Sequence, residues 1–358
     1  MKLPPNDAET IEGRWAEGYD LVGAGLPEAG PHPENWDAMG WTVCGNDSRP
    51  LALMVVCDGV SSSPQGGKAS HTAVDAMIAW ARNQEAADGP IDEMLSSAVQ
   101  AAQAQVVERL HGNGICTLTA ALVDRQALRF AYASIGDSLV CLLDGSGFRK
   151  LNGEDRAVRL RMMNKEVVYS GGIPLIDRGL TQAVGQLEPV NPEVQVVEYS
   201  SGDCLVLASD GVLAPWLEDT LRRSARTMAA AEAVRFCQEM RLVSHDDTTF
   251  ILIRLGETES IRTLRQGLER WADADGAGRE RLLVDVAAHA YRPAALLRAC
   301  LEAEADDDRA LRILEAIEES PTRLAIVDWT AMLDVAARGG RRRLAARLAD
   351  AIRRRLMA

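Results

Sequence analysis

The chain of 358 residues lacks three features that would assign it to common classes of protein. It has no basic excess, since 39 lysines and arginines stand against 52 aspartates and glutamates and give a net charge of −13. That balance argues against a general nucleic-acid-binding protein and disfavours docking on anionic lipid. No apolar run is long enough to span a membrane, and the first ten residues, MKLPPNDAET, lack the apolar stretch of a signal peptide. We therefore expect a cytoplasmic protein with no membrane span.

The seven cysteines form no CxxC pair, and most of them lie inside apolar runs such as VVCDG and GDCLVLAS. This setting favours small buried hydrophobic side chains in a reducing compartment over a disulfide framework or a zinc site. The hydrophobic fraction of 47% is ample for a buried core.

Up to about residue 255 the chain alternates short apolar runs with two helical stretches. Apolar and β-branched residues bounded by turn residues predict strands, at 51–57, 116–123, 129–135, 139–143, 194–199, 204–208 and 249–255. Apolar residues spaced three or four apart predict helices at 69–84 and 91–110. The fold class is therefore α+β, a two-sheet β-sandwich flanked by helices, and it is assigned to residues 1–256.

Residues 257–358 are rich in Ala, Leu, Arg and Glu at helical spacing and predict a small, all-α, antiparallel domain of unknown role. Helix breaks are expected at residues 306–308 and 320–321, and no internal repeat is evident by inspection. The last segment, RGGRRRLAARLADAIRRRL, is basic on its polar face. That face is interpreted either as a solvated helix surface or as a docking site for a partner.

Three aspartates stand at the ends of predicted strands: Asp58 after LALMVVC, Asp210 after CLVLAS, and Asp246 before TTFILIRL. Glycine follows the first two directly and lets backbone approach a shared ligand. A single Asp-Gly pair is often only a turn. Three carboxylates that converge without a cation would repel, whereas magnesium or manganese, which prefer oxygen ligands, would remove that penalty. Two such ions bridged by one carboxylate could activate water against a phosphoryl group.

Seven blocks resemble, in order, those of the metal-dependent protein serine/threonine phosphatases of the type 2C class, particularly their bacterial-type members. The resemblance covers roughly residues 19–255 and leaves the helical tail outside. The blocks are NWDA from Asn35, CDGV from Cys57, TLTAA from Thr117, IGDS from Ile135, LTQAVG from Leu180, ASDGV from Ala208 and DDTT from Asp246.

The resemblance implies a two-metal centre of manganese or magnesium in a cleft between the sheets. Asp58 would bridge the two ions, and the carbonyl of Gly59 would bind the second. Asp210 and Asp246 would hold the first ion. The implied reaction is a one-step attack of metal-activated water on a phosphoserine or phosphothreonine of a protein.

Two further aspartates receive roles from the same resemblance. Asp37 would act with Asp58 in catalysis, mainly through metal-bound water, and Asp137 would serve, with Asp210, a third metal site. Residues 156–178 would form a mobile flap beside the cleft.

The sequence departs from the family pattern at several positions. His32 stands where many members have an arginine that grips the substrate phosphate, so either His32, Arg49 or Arg156 takes that role, or His32 is an ordinary loop residue. Val60 replaces a histidine proposed as a general acid in eukaryotic members. Asp247 replaces the asparagine expected after the last metal aspartate.

Three functions remain open. The first is a hydrolase that acts in signalling, an active protein serine/threonine phosphatase that opposes a serine/threonine kinase. The alternative is a catalytically weak, phosphatase-like binding or scaffold module that acts through its helical tail. A different two-metal hydrolase, such as a nuclease, is disfavoured by the acidic charge.

Overall fold

The computed structural model describes residues 9–27, 34–46, 49–84, 89–160, 176–223, 228–288, 294–319 and 326–357, with the pairs 162–163, 166–167, 169–170 and 173–174. Contacts divide the chain into two compact units, one formed by Met1–Asp124 with Arg129–Gly256, the other by Glu257–Ala358 with Arg125–Leu128. No helix among the described residues is long and apolar enough to cross a membrane. All seven cysteines are buried and free, as the sequence predicts.

The described residues of the first unit form seventeen strands. In chain order they are β1 Glu9–Ala16, β2 Tyr19–Leu26, β3 Ala38–Asn46, β4 Arg49–Cys57, β5 Leu118–Asp124, β6 Arg129–Ile135, β7 Leu139–Asp144, β8 Gly147–Lys150, β9 Arg156–Leu160, β10 Met162–Met163, β11 Glu166–Val167, β12 Tyr169–Ser170, β13 Ile173–Pro174, β14 Ile176–Leu180, β15 Glu193–Glu198, β16 Cys204–Ala208 and β17 Thr248–Arg254. Its helices are α1 Gly66–Arg82, α2 Ile91–Leu110, α3 Ala214–Arg223 and α4 Ala230–Met240.

Two antiparallel sheets form the centre of this unit. One has the strand order β1-β2-β17-β16-β7-β8, and the other has the order β15-β6-β5-β4-β3. Strands β9 to β14, within the segment predicted as a flap, form only small two-stranded pairs. The central strands β4, β5, β16 and β17 are buried along nearly their whole length. Strands whose two faces are both covered carry continuous apolar runs, which is why these four were readable from the sequence.

Each sheet carries a helical layer on its outer face. Helices α1 and α2 pack on the five-stranded sheet, where Leu53, Val55 and Leu95 lie in one apolar core. Helices α3 and α4 supply Leu217 and Phe236 to a second core against the six-stranded sheet. The two sheets also contact each other directly. The predicted fold class, a β-sandwich flanked by helices, is confirmed.

The prediction of only two helices before residue 255 is wrong, because α3 and α4 were missed. Helix α3 has ten residues and buries only two apolar side chains, so its periodicity is too short to recognise. Strands β1, β2 and β3 were missed as well. Both β2 and β3 contain two glycines, which weaken a strand signal.

In the second unit, the part of the chain that the structure describes forms six helices. They are α5 Glu259–Glu269, α6 Gly276–Ala288, α7 Ala294–Ala303, α8 Asp307–Glu318, α9 Ile326–Arg338 and α10 Arg342–Met357. Asp306 caps α8 by accepting a hydrogen bond from the Arg309 N–H at 2.9 Å, which agrees with the helix break expected there. The break expected at residues 320–321 lies outside the described residues.

The second unit contains a repeat that inspection of the sequence missed. Helices pair as α5–α6, α7–α8 and α9–α10, and each helix also contacts the one two places along. Buried residues recur at a spacing of 35 between the last two hairpins, as in the pairs Leu297 and Met332, Leu301 and Ala336, Ile313 and Leu348, Ala316 and Ala351, and Ile317 and Ile352. Stacked helical hairpins of this kind are typical of repeat proteins.

The basic face of α10 is largely occupied within this unit. Arg343 pairs with Asp308 of α8 at 3.0 Å, and Arg347 and Arg354 both pair with Glu318 at 2.7 Å. These arginines therefore help to hold α10 against α8.

Candidate metal centre

Asp58 is held at the end of β4 by reciprocal hydrogen bonds to the neighbouring strand. Its N–H donates to Thr117 Oγ1 at 3.1 Å, and the Thr117 N–H donates to the Asp58 carbonyl at 2.8 Å. The Thr117 hydroxyl also shares a 2.7 Å hydrogen bond with Ser138, in the turn that carries Asp137. One buried threonine thus fixes the backbone of two candidate ligands.

Gly59 lies where three chain segments meet. A Cβ atom at this position would lie 2.6 Å from the carbonyl carbon of Gly66 and 2.7 Å from the carbonyl oxygen of Trp36. The Gly59 N–H donates to that same Trp36 oxygen at 3.1 Å. Only glycine lets the start of α1 and the segment before Asp37 approach Asp58 so closely.

Asp210 and Asp246 are brought together by a second close approach. The Ser209 N–H donates to the Thr249 carbonyl at 2.9 Å. Beyond it, a Cβ atom on Gly211 would lie only 1.9 Å from the carbonyl oxygen of Asp247. The loop after β16 therefore rests directly on the residues that precede β17.

Three of the predicted carboxylates form one compact group. An oxygen atom from each of Asp58, Asp137 and Asp210 lies within 4.8 Å of the other two. Two ligands on opposite sides of a magnesium ion are separated by about 4 Å. The three oxygen atoms therefore span roughly the coordination sphere of one small divalent cation.

Asp37 and Asp246 are not part of that group, but their charges act on it. Burial raises the pKa of Asp58 well above its ordinary value, and the negative charges of Asp37, Asp210, Asp246 and Asp137 raise it further, in that order. All five predicted aspartates are therefore close enough to interact electrostatically.

Asp37 is the most deeply buried member, with a side chain 1% exposed. Among the described residues no donor reaches either carboxylate oxygen with hydrogen-bond geometry. Burial raises the pKa of Asp37 well above its ordinary value, as do the charges of Asp247 and Asp246, although the nearby hydroxyls of Ser209 and Thr249 act in the opposite direction. Ser209 Oγ donates to the Thr249 carbonyl at 3.3 Å, and Thr249 Oγ1 accepts from Asn35 at 3.3 Å.

The site fits divalent cations on these observations. Burial and neighbouring carboxylates raise the pKa of both Asp58 and Asp37, and Asp37 is buried with no donor among the described residues. Divalent cations among oxygen ligands would satisfy all of these groups at once. The donor set contains only oxygen, which suits magnesium or manganese better than zinc.

Of the three residues considered for binding the substrate phosphate, the structure describes the side chain of one. His32 lies outside the described residues, and so does the side chain of Arg156. Arg49 is wrong as a substitute, because its guanidinium pairs with the buried Asp124 at 3.0 Å and donates to the Gly89 carbonyl at 2.7 Å. It stands at the start of β4, eight residues before Cys57 and about 26 Å from it along an extended strand.

Two residues have clearer roles than the sequence suggested. Thr117 was noted only as part of a strand of small residues, yet it connects Asp58 to the turn of Asp137. Asp247 was noted only as a replacement for the expected asparagine, yet its Oδ2 accepts a 2.6 Å hydrogen bond from the Trp36 N–H. Both residues are polar and lie inside matching blocks, TLTAA and DDTT, and that position in the sequence is the signal that could have identified them.

Comparisons with known proteins agree with this geometry. The protein phosphatase PhpP of Streptococcus pneumoniae is 26% identical over 167 residues, which are 45% of this chain and 67% of PhpP. The crystal structure of the serine/threonine phosphatase PstP/Ppp of Mycobacterium tuberculosis covers 67% of this chain and 99% of its own, with a TM-score of 0.50 and 20% identity. A bacterial serine phosphatase covers 66% and 98%, with a TM-score of 0.50 and 18% identity. The two structures support the fold.

A sequence model described as Protein phosphatase 2C matches residues 34–243, more than half of the chain. The matched range includes Asp37, Asp58, Asp137 and Asp210, and it ends three residues before Asp246. The predicted resemblance is confirmed, and with it the class of enzyme, a protein serine/threonine phosphatase: the chain belongs to the protein phosphatase 2C family.

Proposed function

We propose that this protein hydrolyses phosphoserine and phosphothreonine on proteins at a centre of two manganese or magnesium ions built on Asp58. The observation that carries the proposal is the group of Asp58, Asp137 and Asp210, whose carboxylate oxygens lie within 4.8 Å of one another. When bound, the cations would polarise the phosphoryl group and lower the pKa of a water molecule.

The chain's own residues hold and orient this centre. Asp58 would hold both ions, Gly59 would offer its carbonyl to the second, and Asp210 and Asp246 would hold the first. Asp137 would serve a third ion together with Asp210. The hydrogen bonds from Thr117 and the close approach at Gly211 support these assignments, because they fix the backbone from which the ligands project.

Asp37 completes the centre from the side of Trp36. Its carboxylate is buried without a donor, so it is suited to accept hydrogen bonds from water around the ions. The role of His32 in holding the substrate phosphate stays a proposal as well. Residues 1–256 are proposed as the phosphatase domain and residues 257–358 as a separate helical domain. The free, buried cysteines support a cytoplasmic location, where a serine/threonine kinase would supply the substrate.

The test is hydrolysis of para-nitrophenyl phosphate with and without added manganese by the intact chain, Asp210→Ala and Asp219→Ala. Asp219 is a matched control, since it lies nine residues further on with a side chain 70% exposed. We expect manganese-dependent turnover in the wild type and the control only. Calorimetric titration with manganese should show weaker binding for Asp58→Asn than for the wild type. Turnover by Asp210→Ala equal to that of the wild type would contradict the assignment.

A second candidate function is a catalytically weak module that binds phosphoproteins or scaffolds a partner through its tail. The stack of three helical hairpins favours it, because such stacks present extended binding surfaces. A folded wild-type chain that binds manganese without turning over the ester would select this candidate.

A further inference from the structure

Four large apolar side chains are exposed in two segments beside the candidate metal centre. They are Leu213, Trp216, Leu242 and Val243, with exposures of 36%, 46%, 77% and 42%, and together they are called the apolar rim. They make up four of the ten large apolar side chains that are strongly exposed in the described part of the chain.

Both segments lie close to candidate metal ligands in the chain. Leu213 follows Asp210 by three residues, and the Trp216 N–H donates to the Leu213 carbonyl at 3.0 Å in the first turn of α3. Leu242 and Val243 form the turn after α4, four and three residues before Asp246.

The two segments also meet each other. The Gly211 backbone lies against the Asp247 carbonyl, so closely that a Cβ atom there would be 1.9 Å from that oxygen. Leu213 and Trp216 thus follow Gly211 in the chain, and Leu242 and Val243 precede Asp247, so the two pairs flank one point of contact although they are far apart in the sequence.

Core packing does not explain these side chains. Helix α3 already buries Leu217 and Leu221 on its inner face, and α4 buries Phe236 and Met240 on its own. Single exposed apolar residues are common on protein surfaces. Two pairs on separate segments that both border the same carboxylates are a more specific arrangement, and an exposed tryptophan is the residue type most enriched at binding hot spots.

Charge indicates what kind of ligand the rim suits. Residues 257–358 carry 18 arginines, no lysine and 18 acidic residues, so the rest of the chain carries the whole net charge of −13. An acidic surface does not favour additional anionic groups on a substrate. Affinity beyond the phosphate must then come from apolar contact or from basic residues, and the rim offers apolar contact.

We propose that the apolar rim binds a bulky apolar side chain next to the phosphorylated residue of the protein substrate. The inference rests on the proposed function, because the rim would meet a phosphorylated segment only if that segment is bound at the carboxylates. It assigns to this phosphatase a preference for leucine or phenylalanine in the flanking sequence.

The experiment compares three substrates: para-nitrophenyl phosphate, a phosphothreonine peptide flanked by leucine, and the same peptide flanked by serine. It uses the wild type, Trp216→Ala and Leu242→Ala in the intact chain with manganese. Val43→Ala is the matched control, since Val43 is 43% exposed and lies five residues along β3 from Ala38, about 17 Å away.

We expect both rim variants to lower kcat/KM for the leucine peptide by about tenfold, mainly through KM. Their turnover of para-nitrophenyl phosphate should stay within about twofold of the wild type, and Val43→Ala should match the wild type throughout. The wild type should prefer the leucine peptide over the serine peptide, and the rim variants should lose that preference.

Unchanged kcat/KM for the leucine peptide in both rim variants would overturn the proposal. Equal losses on all three substrates would overturn it too, since the side chains would then support the fold of the site. Absence of manganese-dependent turnover of para-nitrophenyl phosphate by the wild type would refute the proposed function itself, and this inference with it.

Discussion

Thr117 offers the sharpest test of how the centre is held together. Its side chain is buried, accepts a hydrogen bond from the Asp58 N–H at 3.1 Å, and shares one of 2.7 Å with Ser138. Thr117→Val keeps the shape of the side chain but removes the hydroxyl. It therefore leaves two buried polar groups without that partner, at about 1–3 kcal/mol each.

We expect Thr117→Val to lower the free energy of unfolding of the phosphatase unit by about 2–5 kcal/mol. Thr117→Ser is the matched control, because it keeps the hydroxyl and loses one methyl group, at about 1 kcal/mol. Urea denaturation followed by tryptophan fluorescence measures both values. Below the unfolding transition, manganese-dependent turnover should fall about 100-fold in Thr117→Val, since displacement of Asp58 misplaces a ligand.

The reasoning would be refuted if Thr117→Val and Thr117→Ser had the same stability and the same turnover. A stability loss without a loss of turnover would show that the hydrogen bonds support the sheet but do not position Asp58.

Three further predictions concern other carboxylates. Asp247→Asn keeps an acceptor for the Trp36 N–H but removes a charge, so it should retain the fold and bind manganese more weakly when measured by calorimetry. Asp247→Ala also removes the acceptor, so its free energy of unfolding should be lower by about 1–3 kcal/mol. Burial raises the pKa of Glu198 to about 7 although the charge of Arg129 opposes the shift, so the free energy of unfolding should fall as pH rises from about 4.5 to 7. Glu198→Gln should remove that fall and be more stable than the wild type by up to about 3 kcal/mol at pH 8. Glu304→Ala removes a buried carboxylate bound by arginines, so it should destabilise the helical unit by about 3–5 kcal/mol while para-nitrophenyl phosphate turnover persists.

Each of these has its own control. For Glu198, the folded state binds the proton more tightly than the unfolded state, so its protonated form is the stable one, and the stabilities of wild type and Glu198→Gln should converge below about pH 4. Glu302→Ala, with a side chain 42% exposed, should change the helical unit by less than about 1 kcal/mol. Equal manganese affinity in Asp247→Asn and wild type would show that the extra charge does not act on the ions.

The central strands and the long helix α2 could be predicted because their signals are local. β6 and β16 have the predicted bounds, and α2 runs over 91–110 as expected, with Ile91, Leu95 and Leu110 on its buried face. The missed elements are short or rich in glycine, so that tertiary packing and not local periodicity determines them. The hairpin repeat escaped inspection because only buried positions recur, while the exposed residues between them differ.

The aspartates of the centre were predictable from strand ends and block order, but their support was not. The acceptor role of Asp247 depends on a segment about 210 residues away, and Gly211 matters only because the Asp247 carbonyl lies against it. Contacts of that sequence separation leave no local pattern. Arg49 illustrates the opposite error, since an arginine in the right region of the sequence lies at the wrong end of its strand.

The electrostatics of the centre indicate how this phosphatase would bind its substrate. The largest charges that act on Asp58 are all those of carboxylates, and Arg49 is engaged elsewhere by Asp124. A phosphate group would be repelled by such a site until cations occupy it. Affinity for a small phosphate ester should therefore depend steeply on metal concentration, and the contacts that distinguish one phosphoprotein from another must lie outside the carboxylate cluster. The proposed apolar rim follows Asp210 and precedes Asp246 in the chain, where a neutral contact would add affinity without opposing the phosphate.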